Sequence, residues 1–171
     1  KFFSEKITNI LCSLPMELKE NLIVFHQVKE EDKIKVKKLY NKNKINSDVQ
    51  SFFDDIYKKF KKSHLIITRS GGSSVAEIIA SNRPALFIPL PTALDNHQEE
   101  NARFILKVKG GWLLDQNTTS LYFFKNFIKS LILNPKKLNE TSIQIKKTSS
   151  HHLSICRNKT SADFLIDTLT K

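Results

Sequence analysis

The chain has 171 residues, 40% of them hydrophobic and 26% charged, which suits one globular domain able to bury a core of its own. Lys and Arg outnumber Asp and Glu by 28 to 17, a formal charge of +11 carried mainly by Lys. No run reaches the roughly 18–20 apolar residues of a membrane span, and the start KFFSEKITNILCSLP lacks the apolar core and cleavage site of a signal peptide.

Phe3, Ile7, Ile10, Leu11 and Leu14 recur at helical spacing ahead of Pro15, so residues 1–14 are predicted as an amphipathic helix facing a core. Residues 22–25 form a short apolar run, predicted as a buried strand that ends at His26-Gln27. The charged stretch 30–42 reads as an exposed helix, and 46–53 as a loop followed by a short strand. Asp54 or Asp55 then starts a helix through Lys61, with Ile56 and Phe60 inward. Residues 65–68, 85–88 and 112–114 are further strand candidates. A helix with Val75, Ile78 and Ile79 on its apolar stripe separates the first two, and one over about 96–108 precedes the third. Helices over 118–133, 135–147 and 161–169 complete the pattern. Strands that are apolar on both faces and alternate with helices predict a parallel sheet covered on both sides, in one α/β domain spanning 1–171.

The positive charge has three readings: nucleic-acid binding, attraction to an anionic membrane surface or phosphorylated substrate, and a lysine-favouring composition. An RNA binder is better marked by Arg-rich patches with interleaved aromatics, which this chain lacks. Cys12 and Cys156 show no C-x-x-C spacing and are read as free thiols in a reducing cytosol.

Chemistry concentrates after the strand at 65–68. In a parallel α/β sheet, ligands bind beyond the carboxyl ends of the strands. There T-R-S-G-G-S-S-V-A-E places Gly71-Gly72 directly before a helix, where a backbone can approach a ligand and adopt dihedrals barred to other residues. Ser73 and Ser74 are candidate caps, and first-turn N–H groups favour an anion. A plain strand–turn–helix junction accounts for the same residues, since the turn is neither a Walker loop nor G-x-G-x-x-G. Glu77, one turn further on, is either a solvated surface carboxylate or a group able to hold two ribose hydroxyls. Asp95-Asn96-His97-Gln98 follows the next strand: an ordinary polar helix start with Asp95 as cap, or imidazole and amide groups suited to sugar hydroxyls. Arg69 is read as a structural contact at the turn.

Together, R-S-G-G-S-S-V-A-E, R-P-A-L-F-I-P-L-P and D-N-H-Q-E-E-N-A resemble, in order and spacing, the nucleotide-sugar-binding half of the peptidoglycan N-acetylglucosaminyltransferase (MurG) family, which converts lipid I to lipid II. The similarity is densest over 51–112, and more weakly covers nearly the whole chain, including His26-Gln27 and Phe52-Phe53-Asp54-Asp55. It implies the C-terminal half of a GT-B fold, a Rossmann-like doubly wound parallel sheet. It also implies inverting, metal-independent transfer from UDP-N-acetylglucosamine without a cofactor, and no D-x-D metal motif occurs. By position, Phe52 and Phe53 would border the uracil, with the Phe53 main chain reading its edge. Gly71, Gly72, Ser73 and Ser74 would face diphosphate and ribose, Glu77 the ribose hydroxyls, and His97 with Gln98 the sugar. Some members have Gln-Gln where this chain has His97-Gln98.

The departures are as informative. The family's catalytic His, acceptor loops for lipid I and membrane-facing patch belong to an N-terminal domain not matched here, so no catalytic base is expected in this chain and it is expected to be inactive alone. Peripheral attachment to the cytoplasmic face of the bacterial inner membrane is implied for the full enzyme, and a cytoplasmic location for this chain alone. The family's second domain opens with a strand and a G-G-S-Q-G-A loop that would precede Lys1, so the sheet is expected to lack its central first strand and to be marginally stable. Two alternatives stand beside this reading. One is the donor subunit of the two-subunit transferase that makes dolichol-linked chitobiose. The other is a non-catalytic truncated binding module.

Overall fold

A computed structural model describes residues 2–90 and 97–155. In chain order they form α1 (Phe2–Cys12), α2 (Met16–Lys19), β1 (Ile23–Gln27), α3 (Glu30–Lys42), β2 (Asn46–Gln50), α4 (Ile56–Lys62), β3 (Ile66–Thr68), α5 (Gly72–Ser81), β4 (Ala85–Phe87), α6 (His97–Lys107), β5 (Gly111–Leu113), α7 (Leu121–Ile132) and α8 (Pro135–Ile155). Every strand pairing is parallel, in two sheets ordered β1-β2 and β3-β4-β5. The helix proposed over 161–169 and Cys156 lie outside the described residues.

The chain divides into two compact units. The first comprises Lys1–Lys59 and Ser120–Leu133. Here α1 packs on α3 and α7, with Ile7, Ile10, Leu11, Val36, Tyr40, Phe124, Ile128 and Leu131 buried. Ser120 caps α7 by accepting the Phe123 N–H at 3.2 Å, so the helix expected from 118 begins at Leu121. Two strand expectations are corrected. β1 is only half-buried, with Ile23 67% exposed, because among the described residues it pairs with β2 alone. Residues 46–53 run strand first and loop second: Ser47 and Val49 alternate inward along β2, so a strand with mostly polar letters still has a buried face.

The second unit comprises Phe60–Thr119 and Asn134–Lys171. Its core joins Ile66 of β3, Val75 and Ile78 of α5, Ala85 and Phe87 of β4, and Ala102 and Ile105 of α6. The predicted fully apolar strand is realised in β4, whose three residues are all buried. Asn82 ends α5 in the left-handed conformation (φ 54°), and its carbonyl accepts the Ser142 hydroxyl of α8 at 2.7 Å. Thr68, Phe87 and Leu113 stand in register, so the segments after β3, β4 and β5 leave the same end of the sheet. β1 and β3 each have an unpaired edge among the described residues.

Candidate functional site

The site grows from the carboxyl end of β3. After Thr68 the chain turns through Arg69 and Ser70 into α5, whose N-cap is Gly71 (φ −65°, ψ 146°). These dihedrals are open to any residue, so the glycine is not there to relieve backbone strain. Among the described residues, and beyond its chain neighbours, no atom lies within 4 Å of where a Gly71 Cβ would stand. Ser73 and Ser74 do not cap the helix as the sequence suggested, since α5 begins at Gly72 and no side chain caps it. They occupy its first turn instead, where backbone N–H groups lack intrahelical partners and the helix dipole favours an anion.

Ser73 and Glu77 are both exposed and four residues apart, so they share one face of α5. Glu77 forms no ion pair among the described residues, which leaves its carboxylate for two hydroxyl donors.

A second set of bonds ties this turn to the segment after β4 and to α6. Asn101 Nδ2 donates to the Ser70 carbonyl at 3.1 Å. The Arg69 guanidinium donates from Nη1 to the carbonyls of Ile88 (2.8 Å) and Pro89 (2.7 Å). Burial lowers the Arg69 guanidinium from its ordinary value, but an Arg so placed stays charged. Leu90 N–H donates to Gln98 Oε1 at 3.0 Å, so the Gln98 side chain turns to Leu90 rather than back to a capping box. Asp95 and Asn96 lie outside the described residues. His97 opens α6, and its side chain lies outside them too. Gly71, Gly72, Ser73, Ser74, Glu77 and Gln98 thus gather at one end of one sheet, and Arg69, expected to be a structural contact at the turn, holds that end together with Asn101, for which the sequence suggested no role.

Phe52 and Phe53 belong to the first unit, just beyond β2. Phe52 is 70% exposed and Phe53 only 7%, so the Phe53 ring is core. Lys59 fixes that ring: its ammonium lies 5.1 Å from the Phe53 centroid and 4.7 Å from that of Phe25. The same ammonium donates to Asp48 Oδ2 at 2.7 Å, a bond that holds the Asp48 carboxyl below its ordinary pKa.

Residues 3–154 match the family model described as glycosyltransferase family 28 C-terminal domain. Over 150 residues the chain is 41% identical to the UDP-N-acetylglucosamine--N-acetylmuramyl-(pentapeptide) pyrophosphoryl-undecaprenol N-acetylglucosamine transferase of Rickettsia felis, covering 86% of this chain and 41% of that protein. A protein of the same name from Wolbachia pipientis subsp. Culex pipiens is 35% identical over 147 residues, covering 86% of this chain and 43% of that one. The chain therefore spans about two fifths of the length of these curated relatives. Among solved structures, Acinetobacter baumannii MurG superposes with a TM-score of 0.67 at 23% identity, over 88% of this chain and 46% of that one. A glycotransferase of kitacinnamycin superposes with a TM-score of 0.61 at 16% identity, over 86% and 36%. Both structures share the fold of this chain.

Proposed function

The chain belongs to the glycosyltransferase family 28 C-terminal domain family, and from that premise we propose that it is the donor-binding portion of a UDP-N-acetylglucosamine transferase of peptidoglycan synthesis. The observation that carries this reading is the neighbourhood in the second unit: an open helix start at Gly71, the exposed Ser73–Glu77 face, and the Gln98 amide, tied together by hydrogen bonds.

Under this reading the first-turn amides of α5 take the diphosphate, with Ser73 and Ser74 beside them. Glu77 accepts from the two ribose hydroxyls, and His97 and Gln98 meet the N-acetylglucosamine. The reaction is attack by the 4-hydroxyl of the lipid I muramyl sugar on the anomeric carbon. The new C–O bond forms with inversion, the bond to the diphosphate breaks, and UDP leaves as lipid II forms. Negative charge grows on the departing diphosphate, and α5 amides already aimed at it stabilise that charge without a metal. The group that takes the hydroxyl proton, the lipid I site and peripheral attachment to the cytoplasmic membrane face are assigned to the length of the relatives that this chain does not span.

The test is a transfer assay with UDP-N-acetylglucosamine and lipid I in EDTA, using the chain alone and mixed with the complementary N-terminal part of the Rickettsia felis relative. Lipid II is expected only from the mixture, and Gln98→Ala should cut its rate by at least about tenfold. A mixture that binds donor yet makes no product, or a rate indifferent to Gln98→Ala, contradicts the proposal.

A further inference from the structure

One peptide group joins the Arg69 guanidinium to the Gln98 amide. Pro89 C=O and Leu90 N–H are the two ends of a single peptide unit, and the described residues contain no cis peptide. In a trans peptide these ends point in opposite directions within a rigid plane. One end is bound by Arg69 Nη1 at 2.7 Å, while the other donates to Gln98 Oε1 at 3.0 Å. The same Nη1 also binds the preceding carbonyl, Ile88, at 2.8 Å. Ile88 N–H is in turn held by Thr68 O at 3.0 Å, at the end of β3. The orientation of the Pro89–Leu90 plane is therefore set from the sheet through Arg69.

That plane decides which half of the Gln98 amide a ligand meets. A backbone N–H accepts nothing, so the Gln98 atom facing Leu90 must be the oxygen. The Nε2 group, with two N–H donors, is the half left to face away. We infer that Arg69 is a positioning residue for sugar recognition: through the Pro89–Leu90 peptide it holds the Gln98 amide as a hydrogen-bond donor to the transferred sugar. The sugar must then offer an acceptor at that point, a hydroxyl or acetamide oxygen, while the nucleotide end of the ligand is untouched by the device.

This inference rests on the donor-site reading, and the experiment separates the two. UDP and UDP-N-acetylglucosamine are titrated calorimetrically into the 171-residue chain, its Arg69→Met and Arg69→Lys variants, and Gln98→Glu. Arg69→Met should weaken UDP-N-acetylglucosamine about tenfold and leave UDP within about twofold, since the Gln98 amide contact is lost only for the sugar. Arg69→Lys, which keeps a cationic donor for the two carbonyls, should recover part of the loss. Gln98→Glu can still accept from Leu90 but donates nothing, so it should lose the sugar contribution with Arg69 intact; this variant keeps the test open if Arg69→Met does not fold. Failure of the unaltered chain to bind either compound overturns the donor reading and the inference with it. Normal binding with an unchanged ratio of the two affinities in Arg69→Met, or in Gln98→Glu, overturns the inference alone.

Discussion

His26, next to last in β1, sits in a hydrogen-bonded cluster of side chains. Ser4 Oγ lies 3.0 Å from Nε2, and Tyr40 Oη 2.8 Å from Nδ1. Tyr40 also bonds Thr8, whose hydroxyl donates to the Ser4 carbonyl at 2.9 Å. A neutral imidazole suits both contacts, since one ring nitrogen donates and the other accepts. Burial lowers the His26 pKa to about 4, and it raises that of Tyr40, so neither charges readily. The unfolded chain, with its histidine near 6.5, binds the proton first. Stability from this group is therefore complete above pH 6.5 and lost as the pH falls from 6.5 through 4, by about 3 kcal/mol in all. Urea unfolding at pH 7 and pH 4.5 should show a much larger acid loss for the native chain than for His26→Gln, and equal losses would contradict the buried neutral imidazole. Residues of this kind were only half legible. His26-Gln27 stood out as a strand end, but nothing local tells that its partners are Ser4 and Tyr40, 22 and 14 residues away. Arg69 was hidden in the same way, because its carbonyl partners lie 19 and 20 residues further on.

Two glycine pairs show how elements divide the work between packing and access. At Gly111, on β5, a Cβ would collide with the Ala85 carbonyl oxygen of the neighbouring strand β4, so the pairing itself excludes a side chain. At Gly71, ahead of α5, a Cβ would meet nothing. Gly111→Ala should therefore cost at least about 2 kcal/mol in urea unfolding, while Gly71→Ala should be neutral or slightly stabilising. The reverse order would place the space requirement at the wrong pair. Most elements were readable because their apolar spacing matches their geometry: Val75 and Ile78 mark the buried stripe of α5, and Ala85–Phe87 the buried run of β4. β2 was misread because Ser47 and Asp48 hide a period-2 pattern, while Phe52-Phe53 imitated a strand just where the chain turns. The candidate site was legible as a set of motifs, but the bonds that assemble it were not.

At the scale of the molecule, the family match covers residues 3–154 and the full-length relatives are more than twice as long. Within that span, the groups proposed for diphosphate, ribose and sugar fall in one unit, between Gly71 and Gln98. The described helices include none long and apolar enough to cross a membrane, and the +11 charge favours an anionic ligand at long range. Donor binding is the property on which the assigned roles all depend, and Glu77 is the side chain that distinguishes a nucleotide site from a capped turn. Isothermal titration of UDP-N-acetylglucosamine into the chain and into Glu77→Ala should give saturable one-to-one binding for the first and at least about tenfold weaker binding for the second. Equal affinities, or no binding by the unaltered chain, would contradict the donor-domain reading.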